Sequence, residues 1–399
     1  MSEAVIVAYA RTPIGRANKG SLVDCRPDDL SALVIKAVLG RVDKLDPALV
    51  EDVLWGCGQP AGEAGYNVAR VAALLAGLDA PGVTVNRYCS SSLQTIRMAA
   101  HAIKADEGDV FVAGGVETVS RYAYGASDSG PHNSAFDDAH ARTKAREPGD
   151  QGDWKPADGL PDVYIAMGQT AENVVEKEGV SREDMDKWGV RSQERAVAAQ
   201  ENGFFEREII PVTTPDGTVV TKDDGPRPGT TLEKLATLKP AFRPNGTVTA
   251  GNACPLNDGA AAVVVMSDTK AKSLGIKPLA RVVSSGVSSI NPEIMGLGPI
   301  GASRQALKRA GMTMDQIDRV EINEAFAAQV LPSAEQLGID HEKLNVNGGA
   351  IALGHPFGMT GARIMSTLLN GLEDAGLQYG LETMCVGGGQ GLAMIVERI

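Results

Sequence analysis

Short runs of β-branched and apolar residues recur along the chain, separated by stretches in which apolar residues return every three or four positions. The first pattern suits strands and the second suits one face of a helix. The runs predict strands over Ala4–Ala8, Asp52–Trp55, Val83–Asn86, Val110–Ala113, Ala261–Met266, Arg281–Gly286, Arg319–Ile322, Leu344–Val346, Thr383–Val386 and Leu392–Val396. The longer spacing predicts helices over Pro27–Leu39, Tyr66–Ala76, Ser91–Ala105, Ala302–Ala310, Ala325–Gln336 and Thr360–Ala375. Alternation of the two predicts an α/β fold.

The order of these signals repeats. Val53-Leu54-Trp55-Gly56-Cys57, then Val83-Thr84-Val85-Asn86 with a turn and helix, then Phe111-Val112-Ala113-Gly114-Gly115 make one series. Val320-Glu321-Ile322-Asn323-Glu324, then Leu344-Asn345-Val346-Asn347 with a turn and helix, then Met384-Cys385-Val386-Gly387-Gly388 make another. The period is far too long for a solenoid, so two similar halves packed face to face are expected. Between about Ser120 and Ala250 the rhythm breaks. Ser127–Leu160 is rich in Asp, Gly, Pro and His and reads as a long surface loop. Helical patterns follow at Met167–Lys177 and Ser181–Asn202, and Thr214–Lys239 turns irregular again. This region reads as an inserted loop domain, a usual place for substrate recognition.

Composition narrows the partners. The 399 residues carry a net charge of −12 with no long basic run, which argues against nucleic acid and anionic membrane. No apolar stretch is long enough to span a bilayer, and the N-terminal residues run directly into a strand without a leader pattern, so a soluble cytoplasmic protein is expected. The five cysteines (Cys25, Cys57, Cys89, Cys254, Cys385) are odd in number and widely spaced, which suits neither a disulfide framework nor a metal site.

One of them ends a strand. In Val83-Thr84-Val85-Asn86-Arg87-Tyr88-Cys89-Ser90-Ser91-Ser92-Leu93 a thiol sits on a sharp turn before a helix. There the helix dipole and unpaired backbone N–H groups are expected to stabilise a thiolate and to hold an oxyanion after attack on a carbonyl. A small buried cysteine at a packed helix start is the alternative. Three clusters in the second half add chemistry. Asn323-Glu324-Ala325-Phe326 lies between strand and helix, where Asn323 could cap the helix or place a water. Asn347–Arg363 sets one histidine, His355, among five glycines and matches no phosphate-loop pattern. Cys385-Val386-Gly387-Gly388-Gly389 places a second thiol beside a possible backbone anion nest. Two thiols, an imidazole, an Asn and two N–H sites suit acyl transfer through a thioester with a second acid/base for a carbon acid.

Taken with Ala166-Met167-Gly168-Gln169-Thr170-Ala171-Glu172-Asn173, Thr247-Val248-Thr249-Ala250-Gly251-Asn252 and Asn257-Asp258-Gly259-Ala260-Ala261-Ala262, these clusters make the chain resemble the thiolases over essentially its full length. The resemblance implies a five-layer αβαβα fold: an N-terminal half over residues 1–120 and 251–275, a loop domain over 121–250 covering the coenzyme A site, and a C-terminal half over 276–399. It implies that Cys89 is the acylated nucleophile, that His355 takes its proton, and that Cys385 moves the proton at C2 of acetyl-CoA. Asn323, through a water, would share one oxyanion site with His355, and the N–H groups of Cys89 and Gly387 would form the other. No metal or resident cofactor is implied; coenzyme A is a co-substrate and CoA thioesters are the ligands. Arg227 resembles the basic contact near the nucleotide end. Met167, Phe242, Ala250 and Phe326 resemble the lining of the pantetheine and acyl tunnel. A homodimer or homotetramer is implied.

Two departures bear on substrate. Many biosynthetic acetoacetyl-CoA thiolases carry His where this chain has Ala166, which leaves more room near the acyl group. Many members carry Ser-Gly where this chain has Cys254-Pro255, at a usual hydroxyl contact to pantetheine. These suggest a broad or longer-chain 3-ketoacyl-CoA thiolase used degradatively. A biosynthetic enzyme restricted to C4 and a non-catalytic CoA carrier are the alternatives. A ketoacyl synthase would use histidines where this chain has Asn323 and Cys385.

Overall fold

The computed structural model describes residues 2–149 and 152–399; residues 1, 150 and 151, which fall in the expected N-terminal run and surface loop, lie outside the described residues. In the first half, strands β1 (Ala4–Arg11), β2 (Gly15–Arg16), β3 (Asp52–Gly56), β4 (Gly82–Val85) and β5 (Val110–Thr118) precede a small hairpin of β6 (Val212–Thr213) and β7 (Val219–Val220). They are followed by β8 (Asn257–Ser267), β9 (Ala280–Ser289), β10 (Arg319–Ile322), β11 (Tyr379–Val386) and β12 (Gln390–Arg398).

The duplication is visible in strand order. One half runs β4–β3–β5–β8–β1, with β3 parallel to both neighbours and β8 antiparallel to both of its own. The other runs Leu344–β10–β11–β12–β9 with the same senses: Leu344 bridges Val320 in parallel, β10 is parallel to β11, and β12 is antiparallel to β11 and β9. The halves join where β1 meets β9 at Val5–Arg281 and Ile6–Ala280.

Three apolar cores, the central one lying on both faces of the middle layer, fill the spaces between five layers. Along β8, Ala261, Val263 and Val265 face a central core with Leu93, Ile96, Ala362, Met365 and Leu368. Their neighbours Ala260, Ala262, Val264 and Met266 face an outer core with Leu30, Val34, Val38 and Val68. A third core joins Val320, Ile322, Leu381 and Ile395 to Ala302, Ala306, Ala327 and Val330. Strands buried on both faces explain why the runs read as continuously apolar. The central layer is the helix pair Ser91–Lys104 and Thr360–Asp374. Their N-terminal ends touch: a Cβ on Gly361 would lie 2.3 Å from the Leu93 nitrogen, and the Ala362 N–H donates to Ser92 Oγ at 2.9 Å.

The structure departs from the expected elements where polar contacts replace apolar patterning. The stretch Leu344–Val346 is a single bridge rather than a strand. Asn345 has φ 45°, and its side chain takes over the pairing, accepting from Ile322 N–H and donating to Ile322 O, each at 2.9 Å. Within the expected loop Ser127–Leu160 lies a helix, Asp137–Arg146, with only Ala139 and Thr143 buried. Acidic residues in its first turn and basic residues in its last complement the helix dipole, a signal that apolar periodicity does not carry. The strand β5 runs on through Gly114–Thr118 because the backbone stays paired with β8 where the glycines have no side chain to signal it.

Candidate active site

Residues Tyr88–Ser90 form a tight turn feeding the first central helix. Tyr88 is held at φ 43°, an uncommon conformation for a side chain of its size. The turn is pinned locally: Asn86 Oδ1 accepts from Tyr88 N–H at 2.9 Å, and Ser91 Oγ accepts from Arg87 N–H at 2.9 Å and donates to Tyr88 O at 2.7 Å. Cys89 is thereby buried, with its own N–H and that of Gly387 both directed at its sulfur. The expected thiolate is not what the free site favours. Burial pushes the Cys89 thiol up to about 11, against the two N–H groups and with the charge of Glu117 adding to it. Loss of water outweighs the dipole, so Cys89 needs a base.

His355 is the residue expected to supply one, and its loop and ring are fixed by their neighbours. The His355 N–H donates to Asn257 Oδ1 at 3.0 Å, which anchors the loop. His355 Nδ1 lies 2.6 Å from Thr360 Oγ1, and that hydroxyl donates its single proton to Pro356 O at 2.7 Å. Nδ1 is therefore the protonated nitrogen and Nε2 carries the lone pair. Burial, reinforced by Arg363, depresses the imidazole to about 3, so it is neutral at physiological pH.

Asn323 Nδ2 lies 3.2 Å from His355 Nε2. The Asn323 backbone is fixed by a bond from its N–H to Thr383 O at 3.0 Å and by Gln329 Nε2 donating to its carbonyl at 2.6 Å. Its Oδ1 is buried without a hydrogen-bond partner among the described residues, which suits a group that receives a water or substrate atom. Cys385, at the end of β11, is fully buried, and burial pushes its thiol well up, with the charges of Cys89 and Cys254 adding. Cys89 likewise raises Cys254, so the three thiols lie within electrostatic reach of one another. Cys254 belongs to a segment antiparallel to Ala325–Ala327: Ala253 pairs with Phe326, Cys254 N–H donates to Ala325 O at 3.0 Å, and Ala327 N–H donates to Asn252 O at 2.8 Å.

The expected tunnel residues divide. Met167 opens the helix Met167–Glu178. Its neighbour Gly168 lies under the Phe242 ring, 2.1 Å from where a Cβ would stand, and Phe242 meets Phe326 edge to face at 6.0 Å. Met167, Phe242 and Phe326 thus belong to one wall beside the Cys254 segment. Ala250 is exposed on the turn leading into it. Arg227 lies at the surface with its N–H fixed by Gln193 Oε1 at 2.8 Å, and partial burial of its guanidinium, with the charge of Arg16 adding, lowers it.

Four site residues were not singled out from the sequence. Asn257 and Thr360 hold His355, as described. Glu324 is fully buried and accepts from Trp188 Nε1 at 3.0 Å, Ser192 Oγ at 2.6 Å, Asn345 Nδ2 at 2.9 Å and Ile351 N–H at 3.2 Å, tying the helix Arg182–Glu201 to the layer below. Glu117 performs a similar task on the other side of the site. The only sequence signal for either was a carboxylate close to the end of a strand. Among the described residues no group of His, Cys, Asp and Glu could hold a metal ion, and no helix is long and apolar enough to cross a membrane.

Comparison with known proteins agrees with this fold. Residues 4–269 match the family model "Thiolase, N-terminal domain" and residues 276–398 match "Thiolase, C-terminal domain". The chain is 46% identical over 412 residues to a beta-ketoadipyl-CoA thiolase of Acinetobacter baylyi, covering all of both. It is 43% identical over 411 residues to a 3-ketoacyl-CoA thiolase of Bacillus subtilis, again covering all of both. The crystal structure of the Bacillus anthracis acetyl-CoA acetyltransferase superposes with a TM-score of 0.85 at 39% identity, covering 100% of this chain and 99% of that one.

Proposed function

The chain belongs to the thiolase family, and on that footing we propose that it cleaves a 3-ketoacyl-CoA with coenzyme A, or runs the reverse condensation, through an acyl-Cys89 thioester. The observation that carries this reading is the convergence on Cys89 of two N–H groups from opposite halves, in a site whose imidazole presents an unprotonated Nε2.

In the cleavage direction Cys89 Sγ attacks the 3-keto carbon and its proton passes to His355 Nε2. The new oxyanion lies between the N–H groups of Cys89 and Gly387, donors worth about 3 kcal/mol each in such sites. As the C2–C3 bond breaks, the enolate oxygen of the leaving acetyl-CoA is held by protonated His355 and, through a water, by Asn323. Cys385 gives its proton to C2, and acetyl-CoA departs. The Cys385 thiolate then takes the thiol proton of free CoA, whose sulfur attacks the acyl group. Cys89 leaves and recovers its proton from His355. Burial makes the Cys385 thiolate strongly basic, which matches it to a weak carbon acid.

Met167, Phe242, Ala250, Cys254 and Phe326 line the pantetheine and acyl path, and Arg227 with Arg16 meets the nucleotide phosphates. Residues 1–120 with 251–275 and residues 276–399 form the two halves, and 121–250 covers the CoA site. The protein acts in the cytoplasm as a homodimer or homotetramer. The outermost strand β4 supports this assembly: Val83 on it and Tyr88 in the turn that follows are exposed, and Tyr66 nearby is 97% exposed, an edge of the kind that proteins cover.

Acetyl-CoA mixed with the protein should acylate the Cys89 peptide, read by mass spectrometry. Cys89→Ala should abolish labelling and turnover, whereas Cys385→Ala should still be labelled but form no carbon–carbon bond. Absence of labelling with tight CoA binding would favour a carrier. Steady-state rates on acetoacetyl-CoA, on 3-ketoacyl-CoAs of C8 and longer, and on 3-ketoadipyl-CoA test the degradative reading. A sharp preference for the C4 substrate would overturn it, and a preference for the dicarboxylic one would favour the activity for which the Acinetobacter baylyi relative is named.

A further inference from the structure

Glu117, near the end of β5, is 1% exposed at the seam between the halves. Its carboxylate accepts from Gly58 N–H at 2.7 Å, Gln59 N–H at 3.2 Å, Tyr122 Oη at 3.0 Å and Gly358 N–H at 2.8 Å, with Cys57 Sγ at 3.7 Å. Three of these contacts follow β3 in the first half; Gly358 belongs to the His355 loop of the second. Each neighbour brings a proton, so an ionised carboxylate satisfies them all.

The seam is closed around this contact. A Cβ on Gly358 would lie 2.2 Å from Val116 O, and a Cβ on Gly115 would lie 2.1 Å from Gly358 O. The loop can enter only as bare backbone. Next along it, Phe357 packs edge to face against the His355 ring at 5.1 Å. Glu117 holds Gly358, Gly358 places Phe357, and Phe357 bears on the imidazole.

We propose that Glu117 is a positioning residue that sets the imidazole against the Cys89 thiol by tethering the His355 loop across the seam. The proposal rests on the reading of Cys89 as nucleophile and His355 as its base. Glu117 also bears on Cys89 through its charge, which raises the thiol. That gives the role a signature that space-filling alone would not produce.

The test uses Glu117→Gln and Glu117→Asp, each confirmed folded by circular dichroism and thermal midpoint. Two rates are followed: Cys89 acylation by acetyl-CoA, and Cys89 alkylation by iodoacetamide as a function of pH, resolved by peptide mass spectrometry. In Glu117→Gln acylation should fall roughly 100-fold with KM little changed, the order expected for a misplacement near 1 Å, and the alkylation midpoint should move to lower pH. In Glu117→Asp the charge remains but the reach to Gly358 is shortened, so acylation should fall while the midpoint stays. Acylation within twofold of wild type in Glu117→Gln with an unmoved midpoint would overturn the proposal. If Glu117→Gln does not fold, Glu117→Asp decides: wild-type acylation overturns the tether, and a loss with unmoved midpoint supports it. A wild-type protein that is not acylated at all would refute the thiolase reading instead, and the alkylation profiles would still report on Glu117.

Discussion

At Cys89 and His355 burial acts in opposite senses on the pKa and in the same sense on charge, since it disfavours the ionised form of each. It keeps the thiol protonated and the imidazole unprotonated, which are the starting states that the proposed proton transfer requires. The direction of the Cys89 shift was not legible in the sequence. A helix start predicted a thiolate, and only the packing of the second half over the turn reverses it. Thr360 orients the imidazole and, by donating to Pro356 O, favours the tautomer protonated at Nδ1. Thr360→Val should lower kcat on the order of 100-fold with little change in KM, measured by steady-state kinetics; unchanged kcat would rule out the hydroxyl's role. His355 also leaves a mark on stability. Its folded value is about 3 against 6.5 for the free side chain, so between those pH values the unfolded chain binds a proton that the folded one refuses. Stability from this group is full above about 6.5 and is lost as pH falls toward 3, on the order of 5 kcal/mol in all. Urea unfolding should show wild type losing more stability than His355→Gln between pH 7 and pH 4.5. Equal losses would count against a neutral buried imidazole.

Among the elements, the central helices were legible nearly to the residue because their apolar faces are continuous: Ser91–Lys104 and Thr360–Asp374 each begin where expected. What was not legible is that their N-terminal ends meet. That contact brings the Cys89 turn to the His355 loop, and it depends on Gly361, where a Cβ would fall 2.3 Å from the backbone of Leu93. Gly361→Ala should cost about 1–3 kcal/mol in stability from overpacking, with a loss of activity beyond the loss of folded protein. Denaturant titration beside specific activity checks this, and a fully stable, fully active variant would contradict it. The helix Asp137–Arg146 and the pairing by Asn345 escaped the sequence reading for a shared reason. Each is held by charges or side-chain hydrogen bonds rather than by an apolar stripe.

Across the whole molecule, duplication places two copies of a sheet around one shared helical layer, and that layer also buries charge. Glu321 and Glu382 stand side by side in register on β10 and β11, both buried, with Arg363 on the adjoining helix. Burial pushes Glu321 up to about 8 and Glu382 well up, with Arg363 opposing both. Neither carboxylate oxygen of Glu382 has a hydrogen-bond partner among the described residues. Two carboxyl groups face one guanidinium, and the excess one is costly when ionised. An acid whose folded value is raised keeps a proton that the unfolded chain releases, so stability declines as pH rises from about 4.5 through the folded value. Glu382→Gln should therefore be more stable than wild type, by about 1–3 kcal/mol at pH 9 and by less at pH 5; equal or lower stability at pH 9 would contradict this. The chain's own order of residues determined the α/β class, the repeat, and the identities of the two thiols, the imidazole and the Asn, because apolar period and local glycine chemistry are written in adjacent positions. Tertiary structure alone decided which N–H groups face Cys89, which nitrogen of His355 is free, and that Glu117 ties the halves together. The first and last depend on contacts between residues hundreds of positions apart, the second on how the loop folds Thr360 back onto His355, and all of them on the removal of water that only packing accomplishes.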